Sequence, residues 1–256
     1  MAMNQKKEPG VAAVDRALAI LDAFDERDAA LTLHQLAERT NLYKSTILRL
    51  IASLERRGCM VRLEDGRYQL GAMLVRWSNL YLTSIRVETH VVPVLDRLAT
   101  KTGESATYYT RQGNARMCLA RVDCTRSVRD HVKVGDMLPL DRGAGGKVLV
   151  AFDASRQVQR ASSPQSMVIV TLRERDSEAA GMAAPVFGAG DNLLGAISLS
   201  GPATRFGKAS LPGLARALLG AASELTTRFG GDPTALREAI ANPLGARRRP
   251  SAAVAA

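Results

Sequence analysis

The sequence predicts an α+β chain of two modules joined by a helix. Three observations predict it. Apolar residues recur at helical spacing up to Gly58. After Gly58 the period changes to short β-prone runs around Asp65-Gly66. From Ser105 onward, strand-like runs alternate with glycine-rich turns and further helices. At 256 residues, 46% hydrophobic and 23% charged, the chain suits one large domain or two small ones, each with a real core.

Taken in order, "VAAVDRALAILDAFDE" reads as an amphipathic first helix with Val14, Leu18, Leu21 and Phe24 as its apolar stripe. Thr32 is the N-cap of a short second helix whose inner face is Leu33, Leu36 and Ala37. "TNLY" is a brief turn, and "KSTILRLIASLERRG" is a third helix stopped by Gly58. Along it Ile47, Leu50, Ile51 and Leu54 form one buried stripe, while Ser45, Thr46, Arg49, Ser53 and Arg56 share the other side. "CMVRLEDGRYQL" predicts a hairpin.

"GAMLVRWSNLYLTSIR" and "VETHVVPVLDRLATKTG" predict helices, the latter with Pro93 in its first turn and Gly103 at its end. Strands are expected at "ATYYTR", "RMCLARV" and "SVRDHVKV", then a glycine-rich turn, "RGAGG", leading into the helix "KVLVAF". No element is assigned to the polar stretch 153–166. "GMAAPVF" and "NLLGAISLSG" are strands around a polar turn, and "LPGLARALLGAASELTTRF" is a long amphipathic helix. The expected domains are 10–71 (three helices and hairpin), 72–88 (linker helix) and 89–230 (α/β module), with 231–256 a basic, disordered tail.

Charge and motif content narrow the function classes. The net charge of +10 and pI of about 10.0 favour an anionic partner such as nucleic acid. Between Arg39 and Arg86 stand nine Lys/Arg against three acids, so the basic excess begins near the third helix. The three cysteines (Cys59, Cys118, Cys124) lack C-x-x-C spacing, which suggests reduced thiols and a cytoplasmic protein. No secretory h-region and no apolar run long enough to span a bilayer are visible, so no membrane partner is expected. The three histidines are far apart, "GAGGKV" lacks P-loop spacing, and no G-x-S-x-G elbow occurs. No catalytic residue, metal site or cofactor is therefore expected.

A short helix, a tight turn, then a helix with polar N-terminal residues is helix-turn-helix geometry; the second helix enters the major groove by its N-terminal end. The hairpin that follows makes it a winged helix-turn-helix, with Arg62 and Arg67 flanking the wing tip within reach of phosphate. In the second module Ser198 and Ser200 alternate along a strand and so face one side. "GAGG" precedes a helix whose free N–H groups suit an anion such as a carboxylate.

"LTLHQLAERTNLYKSTILRLIASLERRGCMVRLEDGRYQLG" resembles the winged helix-turn-helix of the IclR family of bacterial transcription regulators. "DMLPLDRGAGGKVLVAF" and "GMAAPVFGAGDNLLGAISLSGPATRF" are similar to two further family segments, and the resemblance runs over about residues 12–230. It implies a DNA-binding domain, a linker helix and a GAF-like effector-binding domain. It also implies a homodimer or homotetramer on a palindromic, double-stranded DNA operator of a catabolic operon, mainly as a repressor. The implied DNA-binding residues are Thr32, Tyr43, Lys44, Ser45, Thr46 and Arg49, with Arg62, Gly66 and Arg67 on the wing. Tyr43 stands where the family more often has Pro, so base preferences do not transfer.

The resemblance further implies a small organic or aromatic acid as effector, held by the Ala144 and Gly145 N–H groups, Ser198 and Ser200, with Thr171 and Gly181 nearby. Some relatives place an acid and a cysteine at these last two positions. Tyr108, Tyr109, Met117 and Cys118 are candidate pocket walls, and a short 153–170 segment suggests a reduced lid. The alternative is an architectural or constitutive DNA-binding protein whose C-terminal domain serves only oligomerisation.

Overall fold

The structure is a computed structural model that describes residues 10–25, 27–84, 87–153 and 166–244. The polar N-terminal segment up to residue 9, most of the short 153–170 segment and the basic run "GARRRPSAAVAA" lie outside the described residues. The chain divides into two compact units, Met1–Ser84 and Ile85–Ala256.

The first unit contains helices α1 (Ala12–Asp22), α2 (Leu33–Thr40) and α3 (Lys44–Arg56), a hairpin of β1 (Met60–Arg62) and β2 (Tyr68–Leu70), and helix α4 (Met73–Ser84). Its core is Ile20, Leu31, Leu36, Ile47, Ile51, Met60 and Tyr68, with Leu50 and Leu54 packed at the edge. The α3 stripe therefore faces inward as its spacing predicts. The stripe of α1 does so only in part: Leu21 and Phe24 pack on the core as expected, but Val14 and Leu18 are 54% and 51% exposed, and Ile20 is the fully buried residue. Only the C-terminal half of α1 meets the core, so the inward line passes through Ile20 rather than Leu18.

Helix α2 opens with a capping box. The Gln35 N–H donates to Thr32 Oγ1 (3.2 Å), and the Thr32 N–H donates to Gln35 Oε1 (2.8 Å). Thr32→Ala is expected to cost about 1 kcal/mol, read as faster amide hydrogen exchange within α2. Asn41, left-handed at φ 55, turns the chain into α3.

The wing closes through a three-residue loop. The Gly66 N–H donates to the Leu63 carbonyl (3.0 Å) and the Leu63 N–H to the Arg67 carbonyl (2.8 Å), with Gly66 at φ +83. Two backbone bonds between Leu31 and Tyr68 (2.8 and 2.7 Å) tie the wing to the segment entering α2. Gly71 is obligatory for packing: a Cβ there would lie 2.1 Å from the Gly58 carbonyl oxygen.

The second unit begins with a π-helical turn, Val87–Val91, that runs into α5 (Val92–Thr102), with Pro93 in the first turn and left-handed Gly103 closing it. Strands β3 (Ser105–Gln112), β4 (Ala115–Val122), β5 (Met137–Pro139), β6 (Ile169–Leu172), β7 (Ala179–Phe187) and β8 (Leu193–Pro202) form one antiparallel sheet in the order β5-β4-β3-β8-β7-β6. Helix α6 (Ala144–Ala151) packs on β6, β7 and β8; α5 and α7 (Leu211–Arg228) pack on each other and on β3, β4, β7 and β8. Ile197 and Leu199, alternating with Ser198 and Ser200, are fully buried on the opposite face.

Three expectations need correcting, and one strand was not expected. "SVRDHVKV" is not a strand but part of an irregular loop before β5, because Asp130 turns inward to bond arginines instead of pairing along a strand. Helix α6 starts at Ala144, so the glycines form its first turn rather than precede it. Strand β6 had no clear signal. Finally, residues 231–244 are not a disordered tail. Helix α8 (Thr234–Ala239) packs on α7 with Leu236 buried, and the Asp232 side chain accepts from the Thr234 N–H (2.9 Å).

Candidate functional site

Two polar surfaces stand out, one in each unit. The first is the start of α3. The earliest intrahelical bond is from the Ile47 N–H to the Tyr43 carbonyl (3.1 Å), which leaves the N–H groups of Lys44, Ser45 and Thr46 outside the helical ladder. Tyr43 is the N-cap residue, gives no side-chain cap, and is 85% exposed. Lys44, Ser45 and Arg49 are exposed, Thr46 is half-buried, and the first turn carries no acid. Lys44, Arg49 and Arg62 form no ion pair among the described residues, and the Arg62 guanidinium sits 5.9 Å over the Tyr68 ring. This is a cationic surface with open backbone donors, suited to a phosphate backbone and base edges.

Two members of the expected set are differently engaged. Arg67 is paired with Asp65 (Nε to Oδ2, 2.7 Å), and its N–H donates to the same carboxylate (3.0 Å). The pair lowers the Asp65 pKa and holds the wing tip closed, so Arg67 does not present a free charge. The Thr32 hydroxyl is committed to the capping box.

The second surface is a cleft between the sheet and α6. Register places Thr171 of β6, Gly181 of β7 and Ser200 of β8 side by side, with Ser198 on the same face two residues earlier. Ala144 and Gly145, in the first turn of α6, close the cleft from above, so all six expected positions line one cavity of ≈ 40 Å³. Glycine is required in that turn by close approach: a Cβ on Gly145 would lie 2.9 Å from the Tyr109 ring, and one on Gly146 2.5 Å from the Leu140 carbonyl oxygen. The turn is thereby pressed onto the sheet despite its poor helix propensity. Of the four candidate walls only Tyr109 lines the cavity. Cys118 is buried in the core beside it, and burial pushes its thiol up to about 12, so it stays protonated.

Four charged residues at the cleft were not foreseen: Arg116, Glu174 and Arg175, which line it, and Asp130, which bonds to Ser200 and Arg175 at its edge. Asp130 accepts from Ser200 Oγ (3.0 Å), Arg121 Nη2 (2.7 Å) and Arg175 Nη2 (2.9 Å). Burial alone would raise its pKa, but the charges and hydrogen bonds of Arg121 and Arg175 override this and hold it below its ordinary value of 3.8. Arg175 and Ala179 also border a larger cleft of ≈ 480 Å³ on the far side of Asp130. The only sequence signal for these groups was chemical type, and charged residues are common on strands and loops. Among the described residues no group of three or more His, Cys, Asp or Glu is placed to hold a metal ion.

Comparison with known proteins gives the family. Residues 13–63 match the model of the IclR helix-turn-helix domain, and residues 79–176 match that of the bacterial transcriptional regulator IclR C-terminal domain. The chain belongs to the IclR family. It is a transcriptional regulator with a DNA-binding domain and a C-terminal domain, and not an enzyme. Among curated relatives of this IclR-family chain is the HTH-type transcriptional regulator KipR of Bacillus subtilis, 24% identical over 85% of this chain and 96% of its own length. An IclR transcriptional regulator from Alicyclobacillus acidocaldarius superposes with a TM-score of 0.73 at 22% identity, covering 87% of this chain and all of that one. An IclR homolog from Microbacterium hydrocarbonoxydans, complexed with 4-hydroxybenzoate, superposes with a TM-score of 0.68 at 18% identity, covering 89% of this chain and 100% of that one. Among the described residues no helix is long and apolar enough to cross a membrane.

Proposed function

We propose that the chain is a cytoplasmic, effector-responsive repressor of a catabolic operon. It binds a palindromic operator as a dimer or dimer of dimers and senses a small organic or aromatic acid. The observation that carries this reading is the convergence of Thr171, Gly181, Ser198 and Ser200 with the first turn of α6 on one cleft. That arrangement supplies hydroxyl and backbone donors to a small anion. The aromatic-acid choice follows the Microbacterium regulator, which holds 4-hydroxybenzoate.

At the DNA, Lys44, Ser45, Thr46 and Arg49 enter the major groove, Tyr43 stands at the entry, and Arg62 meets phosphate beside the Gly66 turn. In a dimer two such helices lie ~34 Å apart on the duplex. Trp77, Leu80 and Tyr81 are exposed along α4, and they pair with a second copy rather than with the wing. The cavity of ≈ 40 Å³ is smaller than the about 300–1,000 Å³ of ordinary ligand sites. Effector entry therefore widens the cleft, with the Asp130–Arg175 pair as the wall that moves toward the larger space beside it.

The test is a footprint on the DNA upstream of the gene, repeated with a panel of small organic and aromatic acids. A specific footprint that one acid weakens supports the reading. A footprint that every acid leaves unchanged removes the sensor, and no footprint at low salt removes the operator reading. Arg49→Ala is expected to weaken specific binding by about 1–3 kcal/mol without lowering the melting temperature. Unchanged affinity in a gel-shift titration would take Arg49 out of the interface.

A further inference from the structure

We infer that Arg116 is the residue that receives the carboxylate of the effector, anchoring it against the first turn of α6. This rests on the reading of the cleft as an effector site. Nothing in the sequence pattern of the cleft pointed to Arg116, which enters from β4, at the other side of the cavity from Thr171 and Gly181.

Arg116 is 2% exposed and lines the cavity. Its Nη1 donates to the carbonyls of Pro139 and Arg142 (the latter at 2.6 Å), and its guanidinium lies 5.1 Å over the Tyr109 ring. Its Nε is buried and has no hydrogen-bond partner among the described residues. No carboxylate is paired with it among the described residues, whereas Arg121 and Arg175 share Asp130, and Arg205 is forked onto Glu104 (2.6 and 2.7 Å). Carbonyl bonds and an aromatic face stabilise a guanidinium in part, but the acids beside it do not pair with it. Asp141 acts on it only through its charge. Glu174, on the cavity wall, is engaged by Lys147 and by the Gly143 N–H (3.3 Å), so the buried charge has no partner carboxylate of its own. An arginine cannot relieve this by losing its proton. The position calls for an anion.

The surroundings say where the anion sits. Arg116 Nη2 is 3.2 Å from where a Cβ on Gly143 would lie, so the cation abuts the N-cap of α6. The N–H groups of Ala144, Gly145 and Gly146 have no acceptor among the described residues, since the helical ladder begins at the Lys147 N–H. Among the described residues the Ser198 and Thr171 hydroxyls bordering the same cavity make no hydrogen bond, while Ser200 is occupied by Asp130. The uncommitted backbone donors of the α6 first turn thus lie at the Arg116 end, with Ser198 on β8 between them and Thr171 on the far strand. A planar carboxylate accepts from a guanidinium and from backbone N–H groups at once. A neutral ligand would leave the charge unanswered.

The experiment is isothermal titration of the full-length protein with acetate, pyruvate, benzoate and benzamide, the last being the uncharged counterpart of benzoate. The wild type should bind at least one carboxylate, and benzoate more tightly than benzamide. Arg116→Gln should weaken carboxylate binding by about tenfold or more while leaving benzamide unchanged. Arg116→Lys, which keeps the charge, should retain the preference for the acid. Circular dichroism and operator binding of each variant establish that it folds, and the lysine variant carries the test if the glutamine variant does not fold. Carboxylate affinity unchanged in Arg116→Gln, a lysine variant without preference for the acid, or a wild type that binds benzamide as well as benzoate would overturn the assignment and leave the cleft as an effector site. A wild type that binds none of the four probes would overturn the effector reading as well.

Discussion

Asp130→Ala is expected to destabilise the C-terminal unit by about 3–5 kcal/mol, because it strands a buried arginine without its partner. Arg121 and Asp130 are each only 5% exposed and meet at 2.7 Å. Removing the carboxylate leaves Arg121 with Asp123, which is half in solvent, and frees the Arg175 end of the cleft. Thermal unfolding followed by circular dichroism should show a lower midpoint for the variant. Asp130→Asn should fall between the two, since it keeps an acceptor for Ser200 but not the charge. An unchanged midpoint in the alanine variant would mean that Arg121 is satisfied elsewhere.

The same group predicts an acid limb. Because the folded state holds the Asp130 pKa below 3.8, the folded form is favoured wherever the carboxylate is ionised in both states. That contribution is complete above about pH 4–5. It fades as pH falls through the lowered folded value, where the folded state must also take up the proton. The wild type should therefore lose more stability than Asp130→Ala on acidification. Parallel losses in both would assign the acid sensitivity to other carboxylates.

Ile47→Ala is expected to cost about 2–5 kcal/mol in the N-terminal unit. Ile47 is fully buried in a core of only seven residues that joins α1, α2, α3 and the wing, so little neighbouring mass can relax into the space left. Operator binding should fall as well, through loss of the folded reader, and excess operator should restore part of the melting temperature by mass action. Arg49→Ala should behave oppositely, losing affinity with its stability intact. Hydrogen exchange separates the two: amides of α2, α3 and the hairpin should exchange faster in Ile47→Ala only. Native exchange in that variant would show that the α3 stripe contributes less packing than its burial suggests.

Much of the reader was legible in the chain because its determinants are local. The Ile47–Leu54 stripe follows helical periodicity, Thr32 and Gln35 form a box through contacts three residues apart, and Gly66 supplies a left-handed turn. The fate of Arg67 was equally local, yet it depended on which way the Asp65 carboxylate turned. In the sheet, alternation placed Ser198 and Ser200 on one face. The resemblance supplied Ala144, Gly145, Thr171 and Gly181, and the sheet register and α6 bring all six residues to one cavity.

The rest was invisible for a common reason. "SVRDHVKV" has β-prone residues, but Asp130 bonds to Arg121, Arg175 and Ser200, from nine to seventy residues away. The α6 glycines join a helix only because Tyr109 and Arg116 leave no room for a Cβ. Leu236 looks like part of a polar tail until α7 lies beside it.

The sequence by itself determined the helices of the reader, the winged turn, the cationic face of α3 and the serine-bearing strand, since each is set by spacing, capping or alternation within a few residues. Tertiary structure alone decided which face of α1 is buried, that Asp130 closes on Ser200, and that Arg116 is buried with no paired carboxylate among the described residues. Those outcomes depend on the electrostatics and packing of groups far apart in the chain, and no local pattern records which charges will be desolvated together.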